Sequence, residues 1–353
     1  MTPEQKQSFY QDGFLIFRDI VAPDVVNRAV RTLYGGLSAV WQTSMSAFAR
    51  GDAKPDQDAE ARRLDAVEAA TRAGTEPAIL DLVNPTSPLM LAIADALGNP
   101  VREPRGAQLA TIFPSQATKS RINESGYPSD EVPFYGWHGH LDGLWNGAAP
   151  MHQRTDRPMN ATELALWNRD PAKNGVRRTY PGNMNVVSFT ALLGIPLSDQ
   201  MQEGSGNLGL LKGAHHHMSR FFRYQREQGG PLGPDGPDWE RIDKEAPNHG
   251  GLRHYPERVR REFSKGAKYT SDGRMWPKPE FIKVKPGDAV LALHAVPHSA
   301  TRLEGHTPRL MAYFRLLSAS RGGKEPQLNP DTLCNCWFEW EGMREVVASN
   351  PTS

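Results

Sequence analysis

The chain has 353 residues, enough for one elaborated domain or two ordinary ones. Its 41 Lys+Arg stand against 40 Asp+Glu, a net charge of +1 with no basic run, which argues against nucleic acid and against any polyphosphate partner recognised mainly by charge. A hydrophobic fraction of 38%, no apolar stretch of roughly 18 residues or more, and a polar N-terminus make a soluble cytoplasmic protein, neither membrane-spanning nor secreted, the expectation.

The elements follow in chain order. Thr2 as N-cap, Pro3 in the first turn and Gln5 three residues after the cap predict a helix that Gly13 stops. Phe14-Leu15-Ile16-Phe17 reads as a short strand. From Pro23 a second helix carries Val25, Val26, Ala29, Val30 and Leu33 on one face, and Gly35-Gly36 is expected to end or bend it. Residues 51–76 read as a loop followed by a solvated helix, and a further helix spans Pro88 to Leu97, stopped by Gly98. Strand-like runs then appear at 108–113, 185–193, 281–284, 289–293 and 310–316. Between them, 219–280 carries 13 Lys/Arg and 10 Asp/Glu among many Gly and Pro, a near-balance that selects no ligand charge. It is expected as a long insertion or lid over the β core. Gly and Pro make up about a sixth of the chain, natural for a turn-rich β domain. The expected architecture is a single α+β domain: a mainly helical part over 1–100, a jelly-roll (double-stranded β-helix, cupin-like) core over 105–320, and a C-terminal extension over 321–353. Cys334 and Cys336, separated by one residue, are expected as reduced thiols.

The chemistry concentrates in F-Y-G-W-H-G-H-L-D-G-L-W (134–145). On an extended chain His140 and Asp142 fall on the same side, so an imidazole and a carboxylate converge. With a distal histidine they would make a two-His-one-carboxylate metal site that leaves positions open for a chelating co-substrate and O2. H-x-D alone is a weak signal, and a hydrogen-bonded surface pair is its bland reading. His298, just after the strand 289–293, supplies a third ligand. Arg309 follows it by eleven residues, at the start of the next strand, and its fork suits the distal end of a dicarboxylate.

Taken with Q-D-G-F-L-I-F-R-D-I (11–20), E-G-S-G-N-L-G-L-L-K-G-A-H (203–215) and K-P-G-D-A-V-L-A-L-H-A-V-P-H-S-A (285–300), this pattern resembles the phytanoyl-CoA dioxygenase family of Fe(II)/2-oxoglutarate oxygenases over nearly the whole chain. K-S-R-I-N (119–123) followed by the W-H segment is similar to the ectoine hydroxylase branch. The resemblance implies iron held by His140, Asp142 and His298, with the 2-oxoglutarate C5 carboxylate on Arg309. Asn123 and Trp145 carry over more weakly, to either co-substrate or substrate. Two departures stand out. Where the family often has a serine two residues after the distal histidine, this chain has Ala300, leaving Ser299 or Thr301 as substitutes. Lys212 stands where P-G-S-H has proline. His138-Gly139-His140 is itself a same-side pair after Trp137, so His138 competes with His140 for the ligand role. The expected arrangement keeps His140 as ligand, with His138, Trp137, Trp145 and Gln108 on the substrate side or supporting the ligands.

Retention of Asp142 points to hydroxylation or another oxidation, because halogenating relatives replace the carboxylate. The expected reaction is oxidation of an unactivated C–H of a small molecule, such as an amino acid derivative or natural-product intermediate. It would be coupled to conversion of 2-oxoglutarate and O2 to succinate and CO2, in a monomer or homodimer. A jelly-roll metal-dependent hydrolase or isomerase and a non-catalytic ligand-binding relative are the alternatives. Of the remaining histidines, His215 is expected to be structural, His216 and His217 solvent-facing, His294 in the core or beside the site, and His306 exposed in a turn.

Overall fold

The computed structural model describes residues 1–49, 72–114, 130–141, 189–229, 232, 237–239, 255–321 and 330–350. Local signals set both ends of α1 (Pro3–Asp12). The Thr2 hydroxyl accepts from the Gln5 N–H while the Gln5 side chain accepts from the Thr2 N–H, the reciprocal capping box. Gly13 ends the helix at φ 79°, a conformation that suits glycine.

The helix α2 (Pro23–Ala49) buries Val26, Ala29, Leu33 and Leu37. It does not end at Gly35-Gly36 but runs on past them. An interior glycine costs only about 1 kcal/mol, and the buried stripe continues across the pair to Leu37. After α3 (Pro77–Leu80), α4 (Pro88–Leu97) starts at Ser87, whose hydroxyl accepts from the Met90 N–H, and stops at Gly98 as expected.

Two antiparallel sheets form the centre of this α+β fold. The larger has the order β1 (Phe14–Phe17), β8 (Ala289–Leu293), β3 (Ala191–Pro196), β10 (Arg309–Leu316) and β2 (Gln108–Ile112). The smaller places β4 (Leu208–Leu210) between β7 (Glu280–Phe281) and β9 (His298–Ala300). The strand expected over 185–193 lies further along at Ala191–Pro196, and 185–188 fall outside the described residues. A central strand buried on both faces reads as one unbroken apolar run, so its ends carry no mark in the sequence.

The segment 219–280 differs from a simple lid where it is described. It begins inside α5 (Ala214–Glu227), whose Met218, Phe221, Phe222 and Gln225 are buried. It continues through α6 (Glu257–Arg261) and the two-stranded β5 (Lys268–Tyr269) and β6 (Met275–Trp276). Tyr255, Val259 and Trp239 belong to the core, so these parts are framework. At the C-terminal end come α7 (Pro330–Cys334) and α8 (Arg344–Ser349). Between them Trp337 and Trp340 pack edge-on against Phe9 of α1 at 5.3 and 5.0 Å. Cys334 and Cys336 are buried and form no disulfide with each other, and burial pushes the Cys336 thiol up to about 12. Among the described residues no single helix is long and apolar enough to cross a membrane.

Candidate functional site

The site begins with a sharply turned segment. Phe134 and Tyr135 both hold left-handed backbone angles (φ 56° and 55°), which non-glycine residues adopt only where their surroundings hold them. The Tyr135 carbonyl accepts from the Arg302 N–H at 2.7 Å, and its ring meets Phe281 edge-on at 5.5 Å. Next comes Trp137, fully buried, whose indole N–H donates to the Gly209 carbonyl at 2.9 Å. Its ring lies under two glycines. A Cβ on Gly139 would sit 2.6 Å from the ring, and one on Gly209 2.4 Å. Trp137 therefore supports the histidine segment from beneath, and the chain can pass over it only as glycine.

His140 joins the free edge of β9 through a two-way bridge: its N–H donates to the His298 carbonyl at 3.0 Å, and the His298 N–H returns to the His140 carbonyl at 2.8 Å. The two rings stand 4.8 Å apart at 63°. The buried His298 has Nδ1 2.9 Å from the Val296 carbonyl. A carbonyl only accepts, so Nδ1 carries the proton and Nε2 keeps its lone pair for a metal. His138 lies on the other side of His140, its Nε2 3.3 Å from His140 Nδ1 and the rings 5.4 Å apart. Three imidazoles thus gather in one place. Asp142, Asn123 and Trp145 lie outside the described residues, and among those described no three His, Cys, Asp or Glu side chains are set to hold a metal ion.

Arg309 opens β10 and is 1% exposed. Its Nη2 donates to the Tyr313 hydroxyl at 2.5 Å and its Nε donates weakly to Gln200 Oε1 at 3.4 Å. Among the described residues no carboxylate pairs with it. A guanidinium has five N–H donors, and these two bonds occupy two of them, so its remaining edge can receive a ligand. Gly206, at φ 72°, makes room for the side chain; a Cβ there would press to 3.2 Å on Arg309 Cβ and Cγ. From Gly206 the chain runs on through β4 to Leu210, which pairs with His298, so one segment links the arginine to the histidines.

The hydroxyls expected to assist Arg309 are engaged elsewhere. Ser299 Oγ accepts from the Gly139 N–H at 3.4 Å, and Thr301 Oγ1 donates to the Asn207 carbonyl at 2.9 Å. Gln108 is exposed on the edge strand β2, where its Oε1 accepts from Arg315 at 3.0 Å.

No family model matches the sequence, and no curated protein matches it. Among solved structures the chain is similar to AviO1 from Streptomyces viridochromogenes Tue57, at 15% identity over 92% of this chain and 97% of that one, with a TM-score of 0.36. It is similar to HygX from Streptomyces hygroscopicus with nickel and 2-oxoglutarate bound, at 14% identity over 94% and 99%, with a TM-score of 0.35. A third is the non-heme alpha ketoglutarate dependent carbocyclase SnoK from nogalamycin biosynthesis, at 10% identity over 90% and 85%, with a TM-score of 0.40. Likeness of this degree is too slight to transfer a fold or a chemistry.

The other histidines sort by burial. His215 is fully buried, its Nε2 2.8 Å from the Tyr10 carbonyl, and burial holds its pKa well below the usual value. His216 and His217 are not solvent-facing as expected. They are half-buried, packed on Tyr10 at 4.9 Å and Phe263 at 5.1 Å, because α5 lies against α1 and the segment that follows α6. His294 is buried in the core and His306 is exposed in its turn. Tyr313, Gln200 and Asn207 escaped the sequence reading. Tyr313 was within reach of it, since strand alternation places residues four apart on one face with Arg309.

Proposed function

We propose that the chain is an Fe(II)- and 2-oxoglutarate-dependent oxygenase of jelly-roll type that hydroxylates a C–H bond of a small molecule. The observation that carries this reading is Arg309, a buried guanidinium with no carboxylate partner among the described residues, linked by the 206–210 segment to a cluster of histidines. A buried cation with no carboxylate beside it among the described residues calls for an anionic ligand, and a guanidinium's remaining edge matches a carboxylate. Imidazole nitrogens at the other end suit a divalent transition metal.

The donor set fits iron: His140 and His298 from the bridged strands, with Asp142 as the carboxylate. With 2-oxoglutarate and O2, bound iron supplies the oxidising chemistry, in which substrate C–H, 2-oxoglutarate and O2 become substrate C–OH, succinate and CO2. The chain's own residues orient and enclose. Arg309 neutralises and aligns the distal carboxylate. The Val296 carbonyl fixes the tautomer of His298, and the Trp137 ring seals the floor beneath Gly139 against water. No general base is required. Asp142, as a retained carboxylate, favours hydroxylation over halogenation.

Anaerobic protein loaded with Fe(II) should develop a weak visible charge-transfer band on addition of 2-oxoglutarate. In air it should form succinate in a substrate-dependent way. Absence of the band, with His140→Ala indistinguishable from wild type, overturns the reading.

A further inference from the structure

We propose that Tyr313 is the second donor to the distal carboxylate of the co-substrate, replacing the hydroxyl that Ala300 cannot provide. This rests on the function proposed above. The phenol oxygen accepts from Arg309 Nη2 at 2.5 Å, so its own O–H proton has still to be placed, and no described residue accepts it. A carboxylate seated on the free edge of Arg309 puts one oxygen beside Nη2, next to that proton. Ser299 alternates to the opposite side of β9 from His298, Thr301 lies just past the strand, and both hydroxyls already serve the chain.

Tyr313 is built into place. It is 8% exposed and sits directly opposite Gly194 of β3, with its ring lying over that glycine. A Cβ at Gly194 would stand 2.9 Å from Tyr313 Cε1, 2.9 Å from Met311 Cε and 3.1 Å from Val290 Cγ1, so the ring occupies the space that the missing side chain leaves. Arg309, Met311 and Tyr313 share one face of β10. On that face Gln200 holds Nε of Arg309 and Tyr313 holds Nη2, which leaves the end of the guanidinium open toward a ligand. The two residues form one carboxylate seat, a neutral O–H beside a fixed cation.

The test is calorimetric titration of 2-oxoglutarate into nickel-loaded wild type and Tyr313→Phe, with pyruvate, which lacks the distal carboxylate, as the control ligand. Phenylalanine keeps the ring over Gly194, and a thermal melt checks that the fold is kept. Losing a hydrogen bond to a charged group should weaken 2-oxoglutarate about 10- to 100-fold. Pyruvate affinity should be unchanged, and in turnover KM for 2-oxoglutarate should rise while kcat holds. Equal 2-oxoglutarate affinity in the two proteins overturns the role of Tyr313, as does a parallel loss for pyruvate. Failure of the wild type to bind 2-oxoglutarate at all overturns the oxygenase reading beneath it.

Discussion

His140 and His298 hold each other through a pair of backbone hydrogen bonds, and their rings stand 4.8 Å apart, edge toward face. Neither can shift along its strand without breaking that bridge.

The bridge separates the roles of His138 and His140. His140→Ala removes a ring facing His298 and should abolish uptake of iron or nickel, measured as metal content after loading and desalting. His138→Ala removes the 3.3 Å contact to His140 Nδ1 and should leave metal bound about 10- to 100-fold more weakly. The reverse pattern would transfer the ligand role to His138.

Stability should fall in mild acid. Burial pulls His294 from its usual 6.5 down to about 4. The unfolded chain therefore binds the proton first. The neutral ring's contribution is complete above pH 6.5 and is lost as pH falls toward 4, a swing of about 3 kcal/mol. His215, also depressed by burial, acts in the same direction. Urea midpoints from pH 7 to 4 should show a shallower slope for His294→Leu. An unchanged slope would remove His294 from the account.

Gly209→Ala should destabilise although it only adds a methyl group. The new Cβ would lie 2.4 Å from the Trp137 ring, whose buried indole cannot move aside without losing its bond to the Gly209 carbonyl. Overpacking of this kind costs about 1–3 kcal/mol, read as a lowered melting temperature. Metal affinity should fall with it, because the histidine segment rests on that ring.

Arg321 and Glu339 form a buried ion pair, with the Arg321 Nε 2.7 Å from Glu339 Oε1 and a second, shorter contact beside it. Glu339→Leu alone should cost about 3–5 kcal/mol by removing one partner of a buried ion pair. The double change Arg321→Met with Glu339→Leu should cost much less, as chemical denaturation of the three variants would show. Additive losses would contradict this.

The parts of the fold that local chemistry dictates were legible in the sequence. Thr2, Pro3 and Gln5 mark a helix start, and Gly13 and Gly98 mark ends, because caps are made by residues adjacent in the chain. Gly35-Gly36 misled, since continuing burial at Leu33 and Leu37 outweighs a weak propensity. The helix α5 was also missed. Ala214, Met218, Phe221, Phe222 and Gln225 do carry its three-four spacing, but it is embedded in a charged stretch. Of the site, His298, His140 and Arg309 could be named from spacing on strands. Gln200 and Asn207 could not, because their proximity to Arg309 and Thr301 depends on which strands become neighbours.

Arg309 and Tyr313 ride on the five-stranded sheet, whereas His298 and its bridged partner His140 belong to the three-stranded one. The proposed co-substrate seat thus draws on two separate sheets, and the length of diacid it takes depends on the spacing between them. If that spacing sets the choice of diacid, directed evolution of this protein toward longer or shorter co-acids should find its mutations in the packing that holds the sheets and not in the residues that touch the ligand.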